Sequence, residues 1–260
     1  MKHSIKNLAI VLTTLLLSAC ATQEITISSE IAKRLNRVGI VSVTANTFTR
    51  QHVGFTVFGN EFEQKQLTDW DMNSQYESQL AKAVESVLGA KAVRATYAAA
   101  DFSRVNELNG PWNAPAFWGP NWTAIEGATR TFCAANDLDA VVVAGRFKTS
   151  DIFGGSNQSV EGLGIYSGRG GDLLHLLTVL GLIDCKTAKP LASRLVFRSR
   201  PGAEEKARKF FPAIELPSEV TRMKMSEWTP GTEEKLKQLV VSLPGPAWAE
   251  TLKLIAPQGR

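Results

Sequence analysis

The sequence predicts a mixed α/β (α+β) fold: a mixed β-sheet with helices packed on it, β-hairpins, and a helical C-terminal extension. Three observations predict it. Strand-type apolar runs at 38–43 and 140–145 alternate with stretches of helical apolar spacing. Pairs of extended runs are joined by short polar turns near both ends of the central region. The last third is amphipathic and punctuated by Pro201, Pro212, Pro217, Pro230, Pro244 and Pro246. Helices interleaved with strands must cover a sheet to bury it. With 260 residues, 44% hydrophobic and 21% charged, the chain is neither a disordered polymer, a collagen-like repeat nor a polytopic membrane protein.

The elements follow in order. Lys2, His3 and Lys6 precede an apolar run at 8–17. At about ten residues the run is too short for the roughly 20 that span a bilayer, but it fits the apolar part of a signal peptide, read as 1–19. Residues 20–30 are polar and read as a tether. The α/β module is placed at 31–200. Residues 38–43 (VGIVSV) are a buried-type strand. Residues 53–58 are a second apolar run; Gly59-Asn60 and the stretch from Glu61 make a hairpin with it. Asn73 caps a helix carrying Tyr76, Leu80, Ala83, Val84, Val87 and Leu88, and Gly89 stops it. Residues 93–97 are a short strand. Residues 109–122 form a Pro/Gly/Asn-rich loop with Trp112, Phe117, Trp118 and Trp122. A capping box at Thr123 and Glu126 opens a helix that ends near Asn136. Residues 140–145 (AVVVAG) read as a strand buried on both faces.

Residues 154–171 hold seven glycines and read as a mobile hairpin loop. The run 173–183 is one long strand, the turn is 184–190, and 191–197 returns. In the C-terminal extension, 201–260, helices are expected at 203–211, 232–243 (Leu236, Leu239, Val240, Leu243 on one stripe) and from Pro246 (Trp248, Leu252, Ile255).

Leu17-Ser18-Ala19-Cys20, directly after the apolar run, resembles the lipobox of bacterial lipoproteins. The resemblance implies that Cys20 receives a diacylglycerol and becomes the N-terminus after cleavage by signal peptidase II. Ala21 then implies the outer membrane if the organism is Gram-negative. One acyl chain holds a protein weakly and two or three hold it stably. Losing Lys2 and Lys6 with the leader takes two from a formal charge of +4. The remaining excess is too small to point to nucleic acid.

Cys133 and Cys185 remain. In an oxidising compartment an even pair makes a disulfide, the alternative being two buried free thiols. Topology favours the bond. A helix feeding the strand at 140 ends near that strand's start, and a run 173–184 antiparallel to 140–146 ends there too.

The stretch Asp139-Ala140-Val141-Val142-Val143-Ala144-Gly145 and the turn Asp184-Cys185-Lys186-Thr187-Ala188-Lys189, with the early strand at 37–43 and the helix after it, is similar to the amino-terminal domain of TolB and to CsgG-type lipoproteins. The likeness covers residues 35–198. It departs at Ala188, where glycine is usual, and at the hairpin of 53–66. It implies a periplasmic α/β binding module and transfers no catalytic residue.

Candidate chemistry is sparse. His175 lies in an apolar run and reads as a core histidine; His52 lies near Arg50 in a loop. Gly154-Gly155-Ser156 is no nucleophile elbow. Gly162-Leu163-Gly164 lacks the third glycine of a dinucleotide loop. Asp69 and Asp71 flank Trp70 and could pair as acid and base, or be a solvated approach to the helix. The sequence calls for no metal and no cofactor. Trp112, Phe117, Trp118 and Trp122 either stack on sugar, meet a partner or touch the membrane interface, or fold back to cover the sheet.

The resulting expectation is an acyl-anchored periplasmic lipoprotein serving as a non-catalytic binding or scaffold component. Its partners would be the membrane through the lipid and an envelope protein or cell-wall component, with no nucleic acid. The alternatives are an envelope glycan or peptide hydrolase, and a subunit of an outer-membrane secretion or assembly complex.

Overall fold

The computed structural model describes residues 26–107, 120–197 and 210–257. Cys20 and the leader, Trp112, Phe117 and Trp118 lie outside these residues, as does the helix expected at 203–211 except for Phe210 and Phe211. Among the described residues the fold is mixed sheet with helices packed on it, but the strands form two five-stranded sheets rather than one.

In the first sheet β1 (Arg37–Ser42) lies between β4 (Lys91–Val93) and β5 (Ala140–Arg146), all parallel. β10 (Thr178–Asp184) runs antiparallel to β5, and β11 (Pro190–Leu195) antiparallel to β10. In the second sheet β2 (Thr47–His52) is parallel to β8 (Leu163–Gly168) and antiparallel to β3 (Glu61–Gln66). β9 (Gly171–Leu176) pairs with β8, and β12 (Ala213–Glu215) with β9. A ribbon of β6 (Lys148–Ser150) and β7 (Ser159–Glu161) flanks them.

The run 173–183, expected as one strand, divides between the sheets at Leu177. The Leu177 N–H donates to the Gly162 carbonyl at 2.8 Å, and its carbonyl accepts from the Phe147 N–H at 3.0 Å. Both halves are buried, so the apolar pattern carries no mark of the crossing.

Helix α1 (Ser29–Arg34) begins inside the stretch read as a tether. The Ser28 side chain accepts from the Ile31 N–H, and the buried Ile27 donates to the Ile255 carbonyl at 3.0 Å. Among the described residues, packed structure therefore begins at Ile27. Helix α2 (Met72–Leu88) lays Tyr76, Leu80, Ala83, Val84 and Leu88 on one face of the first sheet and ends at left-handed Gly89. Its cap position is Asp71, not Asn73. Asn73 lies one turn-position inside, where its side-chain carbonyl accepts from the Ser42 hydroxyl and the Ala45 N–H, both at 3.0 Å. A short helix α3 (Ala99–Ser103) leads to the undescribed loop. Helix α4 (Glu126–Asn136) covers the other face with Thr129, Phe132 and Cys133. A 3-10 turn, Trp122–Ile125, precedes α4, so the capping residue is Asn121 rather than Thr123.

The C-terminal region supplies β12 and a short helix α5 (Ser218–Arg222), neither foreseen, then α6 (Pro230–Ser242) and α7 (Ala247–Ile255). Thr229 caps α6, with Pro230 in the first turn. Phe210 and Phe211 are buried in a turn beside β12. One apolar core runs from Val38, Ile40 and Val142 of the first sheet through Phe48, Leu163 and Leu174 of the second to Trp228, Leu236 and Trp248.

Candidate functional site

The registers give the molecule two strand ends. At the junction of the sheets, β2 and β8 start side by side (Phe48 against Leu163). They end together at His52 and Ser167. Beyond them lie the β2–β3 connection, residues 53–60, and the β8–β9 turn with Arg169. In the first sheet the end away from the junction carries the start of β1, the end of β10 and the N-terminal segment at Ile27.

The β2–β3 connection differs from expectation. The hairpin exists, but its first strand is 47–52, and 53–58 is the tip. The reason is exposure: Phe55 is 93% and Phe58 97% exposed, and Phe62 on β3 is 58% exposed. The Phe55 and Phe58 rings bury almost nothing, and the pairing of β2 with β3 and β8 ends at His52. The tip is nevertheless ordered by its own hydrogen bonds. Val53 donates to the Ser167 carbonyl at 2.7 Å, Gly54 to the Asn60 side-chain oxygen at 3.0 Å, and Gly59 to the Thr56 carbonyl at 3.0 Å. A β-carbon on Gly54 would meet the Gly59 carbonyl at 2.8 Å, so only glycine lets the tip close.

A second loop buttresses the tip. The Asp151 carboxylate accepts from the Phe153, Gly154 and Ser156 N–H groups, from the Ser156 hydroxyl at 2.6 Å and from the Tyr166 hydroxyl at 2.9 Å. Burial, reinforced by Asp151, pushes the Tyr166 hydroxyl pKa well up, so it stays a donor. The glycine-rich stretch is thus ordered: much of it is β7, β8 and this loop. Between tip and buttress is a groove of about 200 Å³, lined by Phe55, Asn60, Ser156, Asn157 and Arg169. A second groove of about 310 Å³ continues past Asn60 to His52, Phe62 and Lys148. The Arg169 guanidinium lies 5.9 Å from the Phe55 ring centre, within cation–π range.

The histidines are accounted for by packing. His175 is fully buried on β9, its Nδ1 3.2 Å from the Gly162 carbonyl and its ring 5.3 Å from that of Phe153. Burial lowers its pKa to about 4. His52 ends β2 with Nδ1 3.2 Å from the Ser167 hydroxyl. Asp69 and Asp71 are separated by Trp70, which is buried against Phe48 at 5.8 Å, and Asp71 is in the left-handed region. Trp122 is half-buried. Its ring lies flat on β10, where a β-carbon on Gly181 would meet it at 2.4 Å, so it covers the first sheet instead of facing a ligand.

Sequence reasoning missed one polar cluster. The strand order of the first sheet reverses at β1, with α2 and α4 on opposite faces, which makes its carboxyl end the usual place for a ligand crevice. Here the chain fills it. Glu77 of α2 accepts from the Tyr97 hydroxyl and from the Ser42 N–H at 3.3 Å, with Arg94 4.0 Å away. Burial raises the Glu77 pKa against those hydrogen bonds, and burial together with Glu77 raises that of Tyr97. None of the grooves described here is lined by either residue.

At the other end, Cys133 and Cys185 form a disulfide that joins α4 to the β10–β11 turn. It lines a groove of about 560 Å³ with Arg34, Arg130, Asp139 and Lys186. The acids there serve the backbone: Asp139 accepts from the Asn36 and Arg37 N–H groups at 2.7 and 2.9 Å, and Asp184 from Thr187. In the same turn Ala188 takes a left-handed φ of 58°, the conformation for which glycine is usual.

Among the described residues no helix is long and apolar enough to cross a membrane. No protein-family model and no curated protein sequence matches the chain. Two solved structures of the PelC dodecamer from Paraburkholderia phytofirmans, one a single-residue variant, are similar to it at 10% and 12% identity. They cover 89% and 86% of this chain and 93% and 91% of their own, with TM-scores of 0.31 and 0.29. At those scores nothing about ligand or assembly passes from PelC to this chain.

Proposed function

We propose that the protein is an acyl-anchored envelope lipoprotein, exported and tethered through Cys20, which works by binding rather than by catalysis. The observation that carries the reading is the Cys133–Cys185 disulfide in a chain whose short apolar leader ends at Leu17-Ser18-Ala19-Cys20. Structural disulfides persist in oxidising compartments, and the leader supplies the route there. The binding reading is supported by what the titratable groups do. His175 is sealed in the core, Asp151, Asp139 and Asp184 hold loops, and Glu77 is enclosed by the chain. The exposed phenylalanine hairpin is the surface that stands out.

Intact-mass analysis of detergent-extracted protein tests the anchor. A chain beginning at residue 20 with a diacylglycerol and an amide-linked acyl group is expected, and Cys20→Ser should leave the membrane fraction. An unmodified chain cut elsewhere would overturn the anchor.

A further inference from the structure

We propose that the β2–β3 tip, residues 53–60, inserts into the interfacial layer of a lipid bilayer, with Phe55 and Phe58 as the inserted rings. The proposal rests on the acyl-anchor reading only for which bilayer lies within reach. The tip contains no charged residue (VGFTVFGN) and holds two phenylalanines at 93% and 97% exposure. Single apolar side chains on a surface are ordinary; two on one uncharged tip form a patch that asks for an apolar environment.

What normally keeps a loop out of lipid is its unpaired backbone. Here the Val53, Gly54 and Gly59 N–H groups are already paired within the tip and its support. Arg169 lies against the Phe55 ring. A long cation in that position keeps its guanidinium at headgroup depth while the ring goes deeper. Glu61 at the base of the tip is engaged by Arg50, which leaves the exposed Arg169 beside the Phe55 ring as the cation of the tip, and that suits anionic phospholipid headgroups. Cys20 precedes Ile27 by seven residues, a reach of at most about 25 Å, so the bilayer of the acyl group lies within that distance of Ile27. Ile27 is at the strand end opposite the tip, and the body must lie along that bilayer for the tip to enter it. A protein partner is the weaker fit. Protein interfaces seat rings in pockets behind a polar rim. A short tip of two exposed rings, with the Val53, Gly54 and Gly59 N–H groups at its flanks already paired, gives such a partner little to orient on, whereas a bilayer requires only depth.

The test uses the chain from Ala21 onward, which keeps every described residue and has no acyl group. It should co-float with phosphatidylethanolamine/phosphatidylglycerol vesicles and less with phosphatidylcholine alone. Phe55→Ser with Phe58→Ser should lower the partition coefficient about a hundredfold with little change in Tm, because both rings are solvent-exposed in the free protein. Arg169→Gln should weaken binding to the anionic vesicles more than to the neutral ones. With Phe58→Trp, the indole emission should shift blue and be quenched by lipids brominated near the headgroup. No flotation, flotation unchanged by the double variant, or an unquenched indole would each overturn the proposal. A photo-crosslinker at position 58 in intact cells should give lipid adducts; a discrete protein adduct without them would mean the rings seat in a partner and would also overturn it. Failure of acylation at Cys20 would sink the anchor and leave vesicle binding by the tip as a separate result.

Discussion

At the scale of single residues, one buried histidine and one exposed, paired glutamate contribute to how stability responds to acid. His175 is held neutral, with its pKa lowered from 6.5 to about 4 by burial. Between those values the unfolded chain binds a proton that the folded chain refuses. Stability is therefore complete above pH 6.5 and falls as pH drops through the window, by about 3 kcal/mol at pH 4. Denaturation between pH 7 and pH 4 should show this slope, and His175→Gln should flatten it whatever its own stability. Glu61 has the opposite sign of charge and a different window. Its hydrogen bond and attraction to Arg50 lower its pKa below the ordinary glutamate range. The folded state has the full gain from the pair above the ordinary glutamate range and loses it progressively as pH falls from that range through the lowered value of the folded state. Glu61→Gln should thus be less stable than the parent at pH 7, with the difference shrinking as the pH is lowered below the ordinary glutamate range. Arg50 is nearly fully buried and also donates to the Thr221 and Arg222 carbonyls at 3.2 and 2.6 Å, so it fastens α5 to β2. Gly164 shows how closely β2 and β8 approach. A β-carbon there would lie 2.2 Å from the Thr49 hydroxyl and 2.4 Å from the Thr49 carbonyl oxygen. Gly164→Ala should cost about 3 kcal/mol, at the upper end of ordinary overpacking, because backbone must move. A cost under 1 kcal/mol in urea unfolding would show that the strands can part freely.

At the scale of elements, the disulfide is the sharpest case of topology read from sequence. Helix 126–136 feeds β5, and β10 returns antiparallel so that Asp184 pairs with Ala140. Cys133 and Cys185 thereby become neighbours across a separation of 52 residues. Replacing both by Ala should lower stability by at most about 4 kcal/mol on the chain-entropy account, measured against the oxidised parent. The strongly periodic helices α2, α6 and α7 were equally legible, because their stripes face a core and their ends carry glycine or proline signals. Three features were not. The change of sheet at Leu177 is invisible because both flanking strands are buried. The tip at 53–60 mimics a strand because Val53, Phe55 and Phe58 have strand composition, and only their exposure separates the two. β12 is a three-residue strand beside a proline, too short to show a period. The candidate surface was missed for the second reason: Phe55 and Phe58 read as part of a hairpin strand, while Trp122 covers Gly181.

At the scale of the whole molecule, the C-terminal helices are part of the core of both sheets. The Tyr76 hydroxyl donates to the Val240 carbonyl at 2.9 Å, and the Tyr76 ring meets Trp248 edge-on at 6.1 Å. Trp248, Leu252 and Ile255 are buried on α7, and Ile255 also accepts from Ile27 at the start of the described chain. Trp228 meets Phe48 of the second sheet at 5.5 Å. The largest apolar cluster contains residues of both sheets and of α6 and α7, so both sheets lose their shared core when the helices leave and keep only the smaller clusters on their other faces, around Val143 and Phe132 and around Tyr166 and Leu173. Removing a buried tryptophan side chain alone typically costs about 3–5 kcal/mol, and a domain's whole stability is about 5–15 kcal/mol. A chain ending after Leu243 would lose Trp248, Leu252 and Ile255 together and leave Tyr76 facing solvent. It should fail to fold as a unit, losing the near-ultraviolet circular dichroism of both sheets at once, while the full chain should unfold in one transition by that signal and by far-ultraviolet signal alike. If the truncated chain kept native near-ultraviolet signal, or if the full chain unfolded in two separated steps, the second sheet would be an independent unit. The phenylalanine tip would then be carried on a part able to move against the N-terminal end of the described chain. A single transition instead makes the tip and that end rigid parts of one body, and places Phe55 and Phe58 at a fixed position relative to Ile27.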